Sequence, residues 1–210
     1  MTRLAVDVVL LPDPAVADLA VAVNRGLVDR FGSEIVLDAE SCLPHVSLAM
    51  GCMDPMDGDA AGAALRRIAE AMPPVTLTVI GTAVLVSEKG RKTSSLLIDK
   101  TEPLQRMHEQ LILDLQPLLT HAPTESMFHG GGPISASTLA WVRGFPAQSS
   151  LARFWPHITL GYGEAPPIDR SFSFVASALA LCHLGNHCTC RRVLDTAPLR
   201  GPCPAGDRSI

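Results

Sequence analysis

Two eleven-residue segments of this chain, SCLPHVSLAMG (residues 41–51) and RFWPHITLGYG (residues 153–163), align without a gap. Pro44, His45, Leu48 and Gly51 match Pro156, His157, Leu160 and Gly163, while Val46 stands opposite Ile158 and Ser47 opposite Thr159. The two histidines are 112 positions apart, and outside these segments the halves show no evident similarity. A local module is therefore used twice without a tandem repeat of the whole unit. A chain built this way has to supply two structural halves, each carrying one copy.

The spacing inside the module has a chemical reading. In a strand, residues i and i+2 face the same side, so His45 and Ser47 project together while Val46 and Leu48 pack behind them. His157 and Thr159 do the same. Either segment alone reads as a half-buried structural strand. Two in-register copies point instead to a cleft lined by two imidazoles and two hydroxyls. An imidazole with a pKa of about 6.5 can remove or donate a proton near neutrality. Hydroxyls can donate hydrogen bonds to non-bridging phosphate oxygens as charge develops. Such a layout performs phosphoryl transfer with no metal or cofactor.

The remaining sequence predicts mixed strands and helices. Residues 4–11 read as a strand, and Asp13-Pro14 starts a helix whose apolar residues Val16, Leu19, Ala20, Val23 and Leu27 run to Gly32. Short strands are predicted at 35–37 and 45–50, and a helix over 59–72 that ends at Pro73-Pro74. A long strand follows at 75–86 with a bulge at Gly81, and its partner at 95–98 lies beyond a basic turn containing Lys89, Arg91 and Lys92. The clearest helix starts at Thr101, carries a stripe that includes Leu104, Met107, His108 and Leu111, and ends at or kinks at Pro117. Residues 120–137 read as loop. Strands are predicted at 138–142, 157–162, 172–181 and 188–194, with an irregular tail after Pro198. Hairpins mixed irregularly with helices favour an α+β fold over a parallel doubly wound sheet. The glycines of 130–132 precede a proline and open no predicted helix, so they are not a dinucleotide fingerprint.

Composition narrows the ligand class. The 210 residues are 18% charged, with a formal net charge of -4. That balance offers no long-range attraction for a nucleic-acid backbone, so a small nucleotide or an RNA end fits better than a long duplex. Six cysteines are too sparse for a secreted disulfide framework, and the apolar start is broken by Asp7 and Pro12. A reduced, cytoplasmic setting is expected, with no membrane segment and a monomeric chain. The run CHLGNHCTC (residues 182–190) contains zinc-type ligands. As a hairpin about Gly185-Asn186 it puts His183, Cys188 and Cys190 on one face and Cys182 and His187 on the other, so no metal is assigned. Phe154, Trp155 and Tyr162 flank the second Pro-His motif and read as packing residues. Tyr162 lies an odd number of positions from His157, which in a regular strand turns it away from the imidazole. His108 reads as structural, and His121 and His129 fall in the long loop.

The paired PHVSL and PHITL segments resemble the His-x-Ser/Thr signatures of the 2H phosphoesterase superfamily. That group includes 2′-5′ RNA ligase-like proteins, cyclic phosphodiesterases of plants and yeast, and related RNA-processing enzymes. The resemblance implies one bilobal α+β domain over residues 1–210. It would have pseudo-twofold symmetry, two mainly antiparallel sheets with helices outside, and one motif per lobe facing a central cleft. It implies His45 and His157 as the acid/base pair, Ser47 and Thr159 as phosphate-binding hydroxyls, and a hydrolase that opens 2′,3′-cyclic phosphates. The alternatives are 2′-5′ RNA ligation or 2′,5′-phosphodiesterase activity, and a protein that binds nucleotides or RNA ends without turnover.

Overall fold

A computed structural model describes residues 2–201 of the chain. Its strands are β1 (Leu4–Leu10), β2 (Val46–Met53), β3 (Val75–Val86), β4 (Lys92–Ile98), β5 (Leu119–Thr120), β6 (His157–Tyr162), β7 (Phe172–Ala176), β8 (Ala178–Leu184) and β9 (Cys190–Pro198). Its α-helices are α1 (Pro14–Phe31), α2 (Gly58–Ala71), α3 (Glu102–Leu115) and α4 (Ala136–Gln148). The strands form one sheet in the order β7-β3-β4-β6-β2-β1-β8-β9, with β5 paired to β2. All the named pairings are antiparallel.

From its centre outward, that order is a pseudo-twofold. β6-β4-β3-β7 runs outward on one side and β2-β1-β8-β9 on the other, so each four-stranded half starts with one Pro-His segment. The two halves meet through the pair Val46↔Ile158. The predicted pair of antiparallel sheets is thus present, joined edge to edge between the motif strands. Only Ser177 separates β7 from β8, which belong to opposite halves, so the sheet has to curl until its far ends meet. The single strand predicted over 172–181 is split there for that reason.

The local reasons for the helices are conventional. Asp13 accepts a hydrogen bond from the Val16 amide at 2.9 Å, and Gly32 ends α1 at a φ of 111°. That left-handed value suits glycine. α3 stops at Leu115, ahead of Pro117, whose ring would clash with the carbonyl of Leu113. Apolar side chains of one sheet face, among them Val8, Leu48, Leu77, Leu96, Ile158 and Leu160, pack against Ala20, Leu27, Leu65, Leu104 and Leu111 of α1, α2 and α3. On the other face α4 covers only one half, where Val142 and Phe145 meet Ala5, Val9, Met50, Cys182 and Cys190. The rest of that second face is left for the motif side chains.

Two sequence expectations fail for identifiable reasons. Residues 138–142, predicted as a strand, lie within α4. Ser135 caps that helix through the Thr138 amide, and the buried positions Thr138, Val142 and Phe145 follow helical spacing. Residues 35–37 are not a strand either. Ile35 and Leu37 are buried, but their backbone groups bond to the side chain of Asn24 instead of to a ladder. Of the irregular tail predicted after Pro198, residues 202–210 lie outside the described residues.

Candidate active site

The antiparallel register about Val46↔Ile158 sets His45 level with Thr159 and Ser47 level with His157. The two copies also share one burial pattern: the proline, Val46 or Ile158, and the leucine are buried, while the histidine and the hydroxyl residue are half exposed. All four side chains singled out from the sequence therefore stand on one face at the seam between the halves.

Each motif strand carries a β-bulge at the same place. Val9 pairs with Ser47 and Val8 with Ala49, which leaves Leu48 extra; Ser95 pairs with Thr159 and Ser94 with Gly161, which leaves Leu160 extra. A bulged residue loses its ladder partner, so its carbonyl needs another donor. A buried polar side chain supplies one in each half. Asn24 of α1 donates to the Leu160 carbonyl at 2.8 Å and to that of Ile35 at 2.9 Å, and accepts from the Leu37 amide at 2.8 Å. His108 of α3 bonds the Leu48 carbonyl through Nδ1 at 2.6 Å, accepts from the Leu151 amide at Nε2 at 2.7 Å, and stacks on Phe154. Each helix thus holds the motif strand of the opposite half. Asn24→Ala strands three buried backbone groups and is expected to lower unfolding stability by about 2–4 kcal/mol. Denaturant unfolding measures it, and a loss under about 0.5 kcal/mol would contradict this clamp.

The imidazoles are oriented alike. His45 Nδ1 bonds the Leu43 carbonyl at 2.7 Å, and His157 Nδ1 bonds the Trp155 carbonyl at 2.9 Å. A carbonyl can only accept, so both rings carry hydrogen on Nδ1, and both Nε2 atoms are left for chemistry. The Trp155 ring lies tilted against His157 with centroids 4.5 Å apart. Burial pushes the His45 pKa down to about 4; the Leu43 carbonyl opposes this and charge on His157 adds to it. Burial lowers His157 as well, and the Trp155 carbonyl opposes it. Charge on one ring resists a proton on the other.

One residue beside the site was not singled out from the sequence. Asp7 on β1 is fully buried and shares a 2.6 Å hydrogen bond with Ser47 through Oδ2. Tyr162 bonds Nδ1 of His187 at 2.8 Å, and the Arg91 guanidinium lies 3.3 Å over its ring while pairing with Glu34. The expectation that Tyr162 turns away from the motif face is thus wrong: the bulge at Leu160 shifts the alternation by one and brings it back. Lys92 of the basic turn pairs with Glu164 at 2.5 Å.

The face assignment for 182–190 also fails. His187 and Cys188 have φ of 61° and 53°, so strand alternation breaks in the loop and Cys182 and Cys190 pack in one cluster with Cys188 against them. The strained loop is pinned to α4, where Thr138 Oγ1 donates to Asn186 Oδ1 at 2.9 Å and accepts from the His187 amide at 2.8 Å. Among the described residues, no group of three or more His, Cys, Asp or Glu is placed to hold a metal ion. Nor is any helix among them long and apolar enough to cross a membrane.

Known proteins share this architecture. The profile of the 2′-5′ RNA ligase superfamily matches residues 39–182, which include both Pro-His segments. No curated protein matches the chain. Among solved structures, TT0787 of Thermus thermophilus is similar, with a TM-score of 0.64 and 17% identity over 95% of this chain and 100% of that one. E. coli LigT complexed with NADP+ gives a TM-score of 0.54 and 14% identity over 94% of this chain and 99% of that one. A structure described as a phosphoesterase gives 0.54 and 15% over 94% and 98%. At these identities the likeness establishes the α+β fold. The profile match spans most of the sequence, and the chain belongs to the 2′-5′ RNA ligase superfamily, within the 2H phosphoesterases.

Proposed function

We propose that the chain is a metal-independent phosphoesterase that opens 2′,3′-cyclic phosphates of nucleotides or RNA ends, with His45 and His157 as its acid/base pair. The observation that carries this reading is the matched orientation of the two imidazoles, each with Nδ1 held by its own backbone and Nε2 free. A group that only bound phosphate would gain little from two imidazoles presented this way.

In the hydrolytic direction His45, whose pKa burial pushes down to about 4, is proposed as the base and His157 as the acid. The Nε2 of His45 takes a proton from water as the water oxygen bonds to phosphorus. The bond from phosphorus to one ribose oxygen breaks, and His157, which enters the cycle as the imidazolium with hydrogen on both nitrogens, gives its Nε2 proton to that oxygen. A ribose hydroxyl and a phosphomonoester result, and the proton on His45 passes to His157 or solvent before the next turnover. Ser47 and Thr159 donate to the non-bridging oxygens as their charge grows. Ligation to a 2′,5′ linkage is the same ring opening with the 5′-hydroxyl of a second nucleoside in place of water, and cleavage of that linkage to a cyclic phosphate is its reverse.

The ligands seen on LigT (phosphate, 3′-AMP, ATP and NADP+) are of the size this cleft has to accept. A neighbouring pocket of about 290 Å³, lined by Phe31, Gly90, Arg91, Lys92, Tyr162 and Gly163, provides cationic and aromatic surface beside the end of β6. The test is incubation with the four nucleoside 2′,3′-cyclic monophosphates and with 2′,5′-linked dinucleotides, in the presence of a chelator, followed by chromatography. Monophosphate from the cyclic substrates supports the proposal. Cleavage of the dinucleotides alone moves the substrate to a 2′,5′ linkage, and binding without product overturns the enzymatic reading.

A further inference from the structure

Asp7 is the one charged-type residue in a strand otherwise made of apolar side chains, LAVDVVL. It is fully buried, its Oδ2 lies 2.6 Å from Ser47 Oγ, and its Oδ1 has no hydrogen-bond partner. Ser47 is the hydroxyl that stands level with His157 across the seam. The arrangement is not repeated in the other half. Asp7 pairs with Met50, three residues past Ser47, and the equivalent pair three residues past Thr159 is Thr93 with Tyr162. Where one half has a carboxyl, the other has a neutral hydroxyl.

An ionised carboxylate in this position has little to support it. The ionisable side chains that face it are Cys182, its neighbour on β8, with Cys188 on the hairpin loop and Cys190 at the start of β9. Those thiols are themselves acids. Burial drives the Asp7 pKa up to about 8; the Ser47 hydroxyl and the Ala49 amide pull against this, and no cation contributes. A buried carboxylate with one unpaired oxygen and no cation beside it costs more than the neutral acid.

The hydroxyl of Ser47 has a single proton. If Asp7 is a carboxylate, that proton is drawn to Oδ2, and Ser47 presents only lone pairs to an incoming phosphate. If Asp7 is the neutral acid, its own O–H donates to Ser47 Oγ, and the Ser47 proton is released toward the cleft. We infer that Asp7 is a positioning residue that, as a neutral acid, donates to Ser47 Oγ and turns the Ser47 hydroxyl proton onto a phosphoryl oxygen of the substrate. Asp7 touches no substrate atom. It acts through Ser47, on one side of the cleft only, and its ionisation switches that donor off. The catalytic consequence rests on the phosphoesterase reading above; the protonation state does not.

The test therefore has two arms. In the first, the chain is labelled with ¹³C at aspartate carboxyl carbons and titrated by NMR without substrate. One resonance is expected to titrate near pH 8 in wild type and to be missing from Asp7→Asn. If every carboxyl titrates below pH 6, the inference is overturned whatever the enzyme does. In the second, kcat/KM for a nucleoside 2′,3′-cyclic monophosphate is followed from pH 7 to 9. Asparagine donates to Ser47 at every pH, so the ratio of Asp7→Asn to wild type is expected to rise about tenfold over that range, the worth of one hydrogen bond. The ratio cancels any ionisation of the histidines. In Ser47→Ala, where the relay is cut, adding Asp7→Asn is expected to leave the pH profile as it was. A flat ratio, or the same rise in the Ser47→Ala background, overturns the inference. If wild type turns over no cyclic phosphate, the proposed function fails, and binding of inorganic phosphate to the same proteins replaces kcat/KM: affinity that falls from pH 7 to 9 in wild type but not in Asp7→Asn upholds Asp7, and equal profiles overturn it.

Discussion

Replacing either His45 or His157 with alanine is expected to lower kcat for cyclic phosphate opening by about 10²–10⁴-fold, the usual contribution of one positioned acid or base. KM should change much less, because in the proposed site Ser47 and Thr159 would still hold the phosphate. The double variant should lose little more than the worse single one, since proton removal and proton donation serve the same step. The two losses are also distinguishable. A substrate whose leaving oxygen is acidic needs no proton donor, so it should rescue His157→Ala and leave His45→Ala impaired. Steady-state kinetics with a natural nucleotide and an activated aryl phosphodiester check both statements. If the activated substrate rescues His45→Ala instead, the two roles are exchanged. If both single variants keep turnover within about threefold of wild type, the pair is not catalytic.

Stability is expected to peak near pH 6.5 and to fall on both sides. On the acid side, burial or partial burial depresses the pKa of His45, His108, His157, His183 and His187 alike. A histidine whose folded pKa lies below its unfolded value contributes fully above about pH 6.5, and that contribution is lost as the pH falls toward the folded pKa. For His45, with a folded pKa of about 4, the loss amounts to about 3 kcal/mol. Asp7 has the opposite sign. Its raised pKa contributes fully below the unfolded value of 3.8 and is lost as the pH climbs to about 8. That slope costs about 2 kcal/mol between pH 6.5 and 8. Below pH 6.5 the histidines outnumber the single carboxyl, so acid wins there; above it Asp7 decides. Denaturant unfolding across pH 5–8.5 measures the curve, and Asp7→Asn should flatten its alkaline side alone. A wild-type stability that rises steadily from pH 6.5 to 8 would contradict the buried neutral acid.

What could be read in the sequence depended on how local its cause was. Pro44-His45 and Pro156-His157 announced themselves because a repeated motif needs no tertiary information to be seen. The helices α1, α2 and α3 followed from apolar spacing and their flanking prolines and glycine, and the Gly81 irregularity was legible from one glycine in a strand. The failures share a different cause. Tyr162 was placed by a bulge at Leu160, which needs the partner strand to exist before the alternation can slip. The break at Ser177 answers to the curl of the whole sheet. The short run at 138–142 fits either period over five residues, and only the buried triplet Thr138, Val142 and Phe145 separates helix from strand. His108 could be read as structural from its place in an apolar stripe, Asn24 gave no such signal, and the bulged carbonyls that each one serves were not legible. Asp7 did carry a signal, a lone acid within an apolar strand, but its meaning required knowing that Ser47 lay beside it.

If two histidines and no metal direct water onto a cyclic phosphate, the oxygen of that water has to appear in the product. The most direct measurement is mass spectrometry of the product formed from a nucleoside 2′,3′-cyclic monophosphate in ¹⁸O-water with a chelator present. The expected product is a nucleoside monophosphate carrying one ¹⁸O on its phosphoryl group, formed over many turnovers. Cyclic nucleotide recovered unchanged, or turnover that stops with the chelator and returns with a divalent metal, would contradict the two-histidine mechanism.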